Sequence, residues 1–400
     1  MAIQRHLSKF IKGELKTLHH FGPYADLNAM KRFTKNLFMI GTVLQLCAIA
    51  HIAYSQDDNE RAYIEAPDAS SATCTNNKIK FSLPVDPETQ GRSWTITNTF
   101  DLDRNVGTTR DFMGKVQKEA RTYDQHLGTD FGLPNFRKMD QGTAVFAAAD
   151  GTVIATSDGF FDREVKRGKS DSNMVIVRHS NGLRTAYAHL RKNSLKVKKG
   201  DLVARGQELG LVGSSGDSSG PHLHFEIIDC QNQKIDPFEQ NLFDREVSFQ
   251  LTPSIMDYAI SQERDFSKEP ADKQIEGLKT NSFITEANQE NYILLWISEV
   301  MKGNEIELDF IDPSQKVAHQ IKSVIGDLGK AHPMIGAASA TFKFPTEGNW
   351  KVMTKVNGKK TGALNFRVKP STQRSLASET PATVAPAADG APAAETPPTQ

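Results

Sequence analysis

The sequence predicts a mainly β protein, with an antiparallel-sheet domain followed by a small β-sandwich. Between residues 93 and 238, short apolar runs are separated by glycines and by the pairs Asp150-Gly151 and Asn181-Gly182, which are typical of hairpin turns. After residue 290, short alternating segments such as YILLWIS and EIELDFI are followed by a third such pair, Asn357-Gly358. Short alternating strands with hairpin turns favour a sandwich for this second part.

Individual strands of the first part follow from the same pattern. Residues 93–100, SWTITNTF, alternate in polarity and are predicted to form the strand that enters the domain. Residues 143–149 and 152–155 are predicted to pair as a hairpin around Asp150-Gly151. Residues 174–178 and 183–189 are predicted to be the next two strands.

Composition limits the classes of partner. The chain has 48 basic and 48 acidic side chains, so no basic field indicates nucleic acid as a partner. Its 400 residues are enough for two to three domains. The cysteines, Cys47, Cys74 and Cys230, include no CxxC pair, which excludes a thiolate zinc site.

The N-terminal 55 residues are predicted to be an extension and a secretory signal peptide. A basic stretch precedes the apolar run at 37–54, and Ala53-Tyr54-Ser55 has the small-x-small order of a cleavage site. Met30 is an alternative start that gives a compact signal peptide. An uncleaved anchor is less favoured, since the run is short and polar residues interrupt it. We therefore expect export to the periplasm or cell envelope, with membrane contact only through this segment.

Two distant stretches, HLGTD and PHLHFE, carry the candidate chemistry. Even spacing on a strand puts His126 and Asp130 on one side, and it puts His222 and His224 on one face with Leu223 turned away. Two imidazoles and one carboxylate suit a catalytic zinc ion with one position left for water, and another imidazole beside it could act as a base.

From residue 93 to residue 238 the chain resembles the LytM or lysostaphin-type metalloendopeptidases of the M23 family, which cut peptide cross-links in bacterial cell walls. The resemblance lies in HLGTDFG, GTAVFAAADGTVIA, YAHL and GSSGDSSGPHLHFEI. It implies a LytM-type catalytic domain, one Zn²⁺ per chain held by His126, Asp130 and His224, and catalytic imidazoles at His189 and His222. It also implies peptidoglycan peptide as the substrate. Residues alone do not separate the roles of the two catalytic imidazoles.

Two other classes of function compete with a zinc endopeptidase. A non-catalytic LytM-like protein that binds the wall or activates an amidase would have lost ligands, and all of them are present here. The segment GDLVARGQELGLVGSS also occurs in biotinyl and lipoyl carrier barrels. A carrier needs a modified lysine at a hairpin tip, and none lies at the expected position, so we interpret this segment as a structural hairpin.

Three further features of the catalytic region receive predictions. The charged stretch 158–172, DGFFDREVKRGKSDS, is predicted to be a loop at the rim of the substrate groove. His179 is predicted to be a structural, hydrogen-bonded residue beside the Asn181-Gly182 turn. For Tyr123, close to the first ligand, simple packing is favoured over a role beside the metal.

The remaining boundaries complete the predicted domain order. A polar linker is expected at 56–92, the M23 domain at 93–240 and an irregular connector at 241–290, in which VSFQLTP could form a strand. The sandwich is expected at 291–369, followed by a disordered Ala/Pro-rich tail at 370–400.

Export would leave Cys74 and Cys230 together in an oxidising space. A disulfide between them would contribute on the order of 4 kcal/mol in the chain-entropy model. Two unpaired thiols are the alternative, and the sequence leaves both open.

Overall fold

We analysed a computed structural model, which describes residues 79–168, 170–249, 251–261 and 284–371. The predicted signal peptide, most of the predicted linker and the predicted disordered tail lie outside these residues. The protein is mainly β, with mostly antiparallel pairing, as predicted. Within the described ranges, no helix has both the length and the apolar character needed to cross a membrane.

The described part of the chain contains one short α-helix, α1 (Phe136–Gln141), capped by the side chain of Asn135. Its strands are, in chain order, β1 (Thr95–Asn98), β2 (Thr129–Gly132), β3 (Ala144–Phe146), β4 (Gly151–Ser157), β5 (Met174–Arg178), β6 (Arg184–Ala188), β7 (Leu202–Val203), β8 (Glu208–Leu211), β9 (His222–Ile228), β10 (Lys234–Ile235), β11 (Ser254–Ser261), β12 (Ile284–Glu286), β13 (Glu290–Val300), β14 (Glu305–Ile311), β15 (Val317–Val324), β16 (Met334–Lys343), β17 (Gly348–Val356) and β18 (Lys359–Lys369).

The largest sheet has the strand order β1-β2-β9-β6-β5-β4-β7, and β10 pairs with β9 beside this path. All its pairings are antiparallel. Strand β9 therefore lies between β2 and β6. In this register His224 is opposite Asp130 on one side and opposite Ala188 on the other. The two distant motifs meet because their strands are neighbours.

One face of this sheet packs on a hydrophobic core that includes Trp94, Phe131, Leu223 and Phe225. Leu223 is fully buried in that core, which agrees with the predicted alternation along PHLHFE. Phe81 also packs there, so the end of the predicted linker is part of the core.

The predicted hairpin of residues 143–149 with 152–155 is wrong. Strand β3 pairs with β8 in a separate two-stranded sheet, while β4 pairs with β5 and β7. The residues between β3 and β4 form hydrogen bonds with other parts of the domain. The Ala147 N–H donates to Gln207 O, and the Ala148 N–H donates to the Tyr187 hydroxyl. The predicted hairpin around Asn181-Gly182 is confirmed, since β5 pairs with β6.

The C-terminal part contains a three-stranded sheet, β11-β13-β16, and a five-stranded sheet, β12-β18-β17-β14-β15. Both contribute to one hydrophobic core that includes Leu295, Phe310 and Trp350. Asn357 and Gly358 both have positive φ, 50° and 74°, and connect β17 to β18 as a hairpin. A separate small β-sandwich domain and its boundaries stay predictions.

The stretch predicted as an irregular connector contains β11, whereas the described residues of VSFQLTP, 247–249 and 251–253, are not in a strand. The apolar alternation of β11 is interrupted by Asp257, so it was not visible in the sequence. The Asp257 carboxylate is buried and pairs with Arg137. Strand β15 was also missed. It is an edge strand whose side chains are mostly exposed, so it shows no apolar alternation.

Buried polar contacts join the C-terminal sheets to the sheet that carries the two motifs. Arg121 Nη2 lies 2.8 Å from Glu299 Oε2, and both side chains are almost fully buried. Arg137 forms a second buried ion pair with Asp257. The first of these ion pairs holds Arg121, at the start of the segment that leads through Tyr123 to the first motif.

Candidate active site

His126, Asp130 and His224 converge in one cluster. His126 Nε2 lies 3.1 Å from Asp130 Oδ1, His224 Nδ1 lies 2.9 Å from the same oxygen, and the two nitrogens are 3.2 Å apart. All three side chains are buried. Asp130 and His224 are register partners on β2 and β9, while His126 lies just before β2.

Hydrogen bonds on the far side of each imidazole decide which nitrogen faces the cluster. His126 Nδ1 lies 2.7 Å from Thr99 O, and His224 Nε2 lies 3.0 Å from Glu226 Oε1. A neutral imidazole has one N–H, and a carbonyl or carboxylate oxygen can only accept, so the proton belongs on those nitrogens. His126 Nε2 and His224 Nδ1 therefore point lone pairs at each other and at a carboxylate oxygen. Three acceptors this close repel unless a cation lies between them, so this donor set fits a metal ion.

Asp130 is prepared to act as an anionic donor. Burial by itself would raise its pKa, but when the imidazoles of His126 and His222 are protonated their charge holds the pKa of Asp130 well below its usual range. Its second oxygen, Oδ2, accepts a hydrogen bond of 2.9 Å from Asn98 Nδ2. The Oδ1 atom is thereby directed at the two imidazole nitrogens.

His189 and His222 lie beside this cluster, with ring centroids 4.6 Å apart. The Nδ1 atom of His189 is 2.6 Å from Ser215 O, and that of His222 is 2.8 Å from Gly220 O. Because a carbonyl oxygen can only accept, the N–H of each neutral ring is at Nδ1, and Nε2 has the lone pair. His222 Nε2 lies 3.8 Å from Asp130 Oδ1, so all five residues predicted from the motifs are in one place.

His189 was predicted to be the last residue of a strand, but the structure places it just after the strand ends. Strand β6 ends at Ala188, and His189 has φ 59°, in the left-handed region that a non-glycine residue rarely adopts. Strand alternation therefore does not set the direction of its side chain. The Ser172 hydroxyl, which accepts from the His189 N–H at 2.9 Å, and Ser215 O hold it instead.

Comparison with known proteins agrees with this geometry. Residues 124–237 match the family model described as Peptidase family M23. The chain carries a peptidase family M23 domain. The match includes all five residues of the cluster and begins two residues before His126.

Curated relatives of the M23 domain include two named peptidoglycan enzymes. Peptidoglycan DD-endopeptidase ShyA of Vibrio cholerae is 34% identical over 145 residues, which are 36% of this chain and 26% of ShyA. DD-carboxypeptidase/endopeptidase Mpg of Neisseria meningitidis is 40% identical over 105 residues, 26% of this chain and 20% of Mpg. The chain thus spans about a quarter or less of either relative. A solved structure of a zinc-containing peptidase from Vibrio cholerae is 30% identical to this chain. The match covers 40% of this chain and 39% of the solved chain. Its TM-score is 0.27, which is too low to support a statement about fold or metal.

Three residues around His126 and His224 were not predicted from the sequence. Thr99 O and Glu226 Oε1 accept from His126 and His224, and Gly128 makes room for the His224 ring. A Cβ atom at Gly128 would lie 2.5 Å from Cε1 of the His224 ring. Glu226 had a visible signal, because it follows His222 and His224 at the same even spacing on β9. Thr99 had none, because its backbone carbonyl makes the contact.

The predicted rim loop of the M23 domain lies against the turn whose carbonyls contact His189 and His222. The Glu164 N–H donates to Ser214 O at 2.9 Å, and the Gly168 N–H donates to Asp217 Oδ1 at 2.8 Å. On the other side, the Arg167 guanidinium lies 4.5 Å from the centre of the Tyr123 ring. That ring is 4.4 Å from the ring of His126. Loop 158–172 therefore connects two sides of the site.

His179 has the structural role that was predicted for it. Its Nδ1 lies 2.8 Å from Asp150 O and its Nε2 lies 2.9 Å from Thr185 Oγ1. Burial lowers its pKa, which keeps the ring neutral.

Proposed function

We propose that this protein is a zinc-dependent endopeptidase that hydrolyses peptide cross-links of bacterial peptidoglycan. The observation that carries the proposal is the convergence of three lone-pair atoms, His126 Nε2, Asp130 Oδ1 and His224 Nδ1, in a buried cluster. The names of the curated relatives support the substrate class.

Zinc is the metal that the donor set favours. Two imidazoles and one carboxylate are a common catalytic zinc set, which leaves a fourth position for water or substrate. In tetrahedral zinc sites with bonds of about 2.0–2.1 Å, neighbouring donors are roughly 3.3 Å apart. The three separations between the donor atoms, 2.9, 3.1 and 3.2 Å, are close to this value. When bound, zinc supplies the Lewis acidity that makes water a nucleophile near neutral pH.

The other two imidazoles, His189 and His222, would transfer protons and stabilise developing charge. His189 and His222 have their Nδ1 protons engaged by Ser215 O and Gly220 O, so each can take up a proton at Nε2 as a water attacks the scissile carbonyl. The imidazolium that forms can then donate to the leaving amine or to the developing oxyanion. We assign these two roles jointly to His189 and His222.

We further propose that the protein is exported, and that it acts in the periplasm or cell envelope. The basic, apolar and small-x-small order of the first 55 residues supports export. Peptidoglycan lies outside the cytoplasmic membrane, so the proposed substrate requires the same compartment.

The test is digestion of purified peptidoglycan sacculi by the purified full chain, with product masses measured. We expect cross-linked muropeptides to be converted to monomers, loss of activity after chelation, and recovery when zinc is returned. The His224→Ala variant is the inactive control. Intact cross-links after incubation with the zinc-loaded wild type would overturn the proposal, and would favour the alternative of a non-catalytic LytM-like protein that binds the wall or activates an amidase.

A further inference from the structure

A buried carboxylate lies directly behind the ligand His224. On β9, His224 and Glu226 share one face, and Glu226 Oε1 lies 3.0 Å from His224 Nε2. The Glu226 side chain has no solvent exposure. The same oxygen accepts from Lys234 Nζ, a lysine of β10 that is only 18% exposed. This pair lies on the far side of the imidazole from Asp130.

We propose that Glu226, held by Lys234, is a positioning residue that fixes the ring and the proton of His224, so that Nδ1 is presented to the metal. The inference rests on the proposed function, because it concerns metal binding by His224. Glu226 touches neither Asp130 nor His126 in the described contacts, so it acts through His224.

The physical reason is that an imidazole has two nitrogens of similar basicity. An anionic acceptor on Nε2 keeps the N–H there and leaves the lone pair on Nδ1. It also makes the ring a stronger donor to a metal, and replacement of such a carboxylate typically costs 10–100-fold in metal affinity.

Lys234 explains how a carboxylate can stay ionised at this depth. The Lys234 ammonium donates to Oε1 of this fully buried carboxylate, and a buried charge is tolerated where it is paired and hydrogen-bonded. Because β10 pairs with β9 through Lys234↔Ile228 and Ile235↔Ile227, the sheet itself places the lysine beside this carboxylate.

Two contacts limit the freedom of the His224 ring. Gly128 leaves the space that the ring occupies, since a Cβ there would be 2.5 Å from Cε1 and 2.7 Å from Nε2. Glu226 then holds the edge that carries Nε2. The ring is therefore packed by Gly128 and oriented by Glu226.

The test measures zinc affinity of the full chain by competition with a chromogenic chelator, together with the thermal midpoint of the metal-free protein. Glu226→Gln keeps the shape and an acceptor oxygen but removes the charge. We expect zinc to bind 10–100-fold more weakly in this variant. The matched control is Glu208→Gln, the same change at an exposed pair, Lys196 Nζ to Glu208 Oε2 at 2.6 Å, which should leave zinc affinity unchanged.

The double variant Glu226→Gln with Lys234→Met separates positioning from a structural ion pair. It leaves no partly buried lysine without a counter-charge, so any instability of the single variant should be relieved. We expect its thermal midpoint to recover while its zinc affinity stays as weak as that of Glu226→Gln.

Wild-type zinc affinity in either Glu226 variant would overturn the inference while leaving the proposed function intact. Failure of the wild type to bind zinc would overturn both. Weak zinc binding in Glu226→Gln that the double variant restores would assign Glu226 a structural role only, and would equally contradict the inference.

Discussion

His126 Nε2 and His224 Nδ1 lie 3.2 Å apart, and each ring has its proton engaged on the opposite nitrogen. Two neutral imidazoles do not approach in this way to bond to each other. Their common neighbour is an ionised carboxylate oxygen of Asp130. The donor set of this cluster therefore suits a cation, and the first prediction tests which residues would supply its ligands.

His224→Ala removes a proposed ligand and should abolish both zinc binding and activity. His189→Ala and His222→Ala leave the proposed ligand set intact, so each should keep about one zinc per chain while turnover falls about a hundredfold or more. Metal analysis and turnover on the three purified variants make the comparison. Loss of zinc in His222→Ala with retention in His224→Ala would reverse the assignment of ligand and base within PHLH.

Gly128→Ala should weaken zinc binding without replacing a proposed ligand. The added Cβ would lie 2.5 Å from the His224 ring and 2.9 Å from the Phe225 carbonyl, so the ring must shift. Gly326→Ala is the control, because no atom lies within 4 Å of its added Cβ and its backbone φ is not in the left-handed region. Zinc titration of the two variants measures the difference. Unchanged affinity in Gly128→Ala would show that the ring tolerates displacement.

Glu299→Gln should destabilise the protein by about 3–5 kcal/mol, because it leaves the charge of Arg121 buried without its partner. Both side chains of this pair are at most 3% exposed. Glu119→Gln is the matched control: its partner Lys115 is 3.7 Å away and both are more than half exposed, so the cost should stay below about 1 kcal/mol. Urea unfolding of both variants gives the comparison. Equal stabilities would mean that the contact between the two parts of the protein does not depend on this ion pair.

Asp236 should make the protein less stable as the pH rises from 4 to 7. Burial raises its pKa to about 6, and its buried Oδ2 atom has no hydrogen-bond partner among the residues that the structure describes. Because the folded state holds the proton more tightly than the unfolded state, this contribution is complete below about pH 4 and is lost as the pH passes through 6. A shift of about two pH units corresponds to about 3 kcal/mol.

The measurement for Asp236 is the difference in unfolding free energy between the wild type and Asp236→Asn at several pH values. Asparagine cannot ionise, so the variant should lack this loss. The difference between the two proteins should therefore change by about 3 kcal/mol between pH 4 and pH 7 in favour of the variant. A difference that is independent of pH would mean that Asp236 ionises normally in the folded protein.

One prediction from the cysteines has a partial outcome. Cys230 is disulfide-bonded, whereas Cys74 lies outside the described residues. The pairing of Cys74 with Cys230 therefore stays a prediction, and peptide mapping without reductant would identify the partner.

The sequence by itself determined the two faces of the strand that carries PHLHFE, whereas the proposed ligand set came from its resemblance to the M23 family. Alternation along PHLHFE is a local property of an extended chain, so it placed His222 and His224 opposite the buried Leu223 before any partner was known. Turn chemistry likewise predicted the β5–β6 and β17–β18 hairpins, because Asn-Gly pairs favour the required backbone angles locally.

Tertiary structure alone decided what depends on distant partners. The pairing of β3 with β8, the burial of Asp257 in β11 and the left-handed backbone of His189 all follow from contacts that local pattern does not encode. The tertiary structure also decided which nitrogen of His126 and of His224 faces the cluster, because Thr99 O and Glu226 Oε1 accept a hydrogen bond from the other nitrogen of each ring. A side chain's identity limits the chemistry it can perform, but the acceptors that surround it in the folded protein decide which atom performs it.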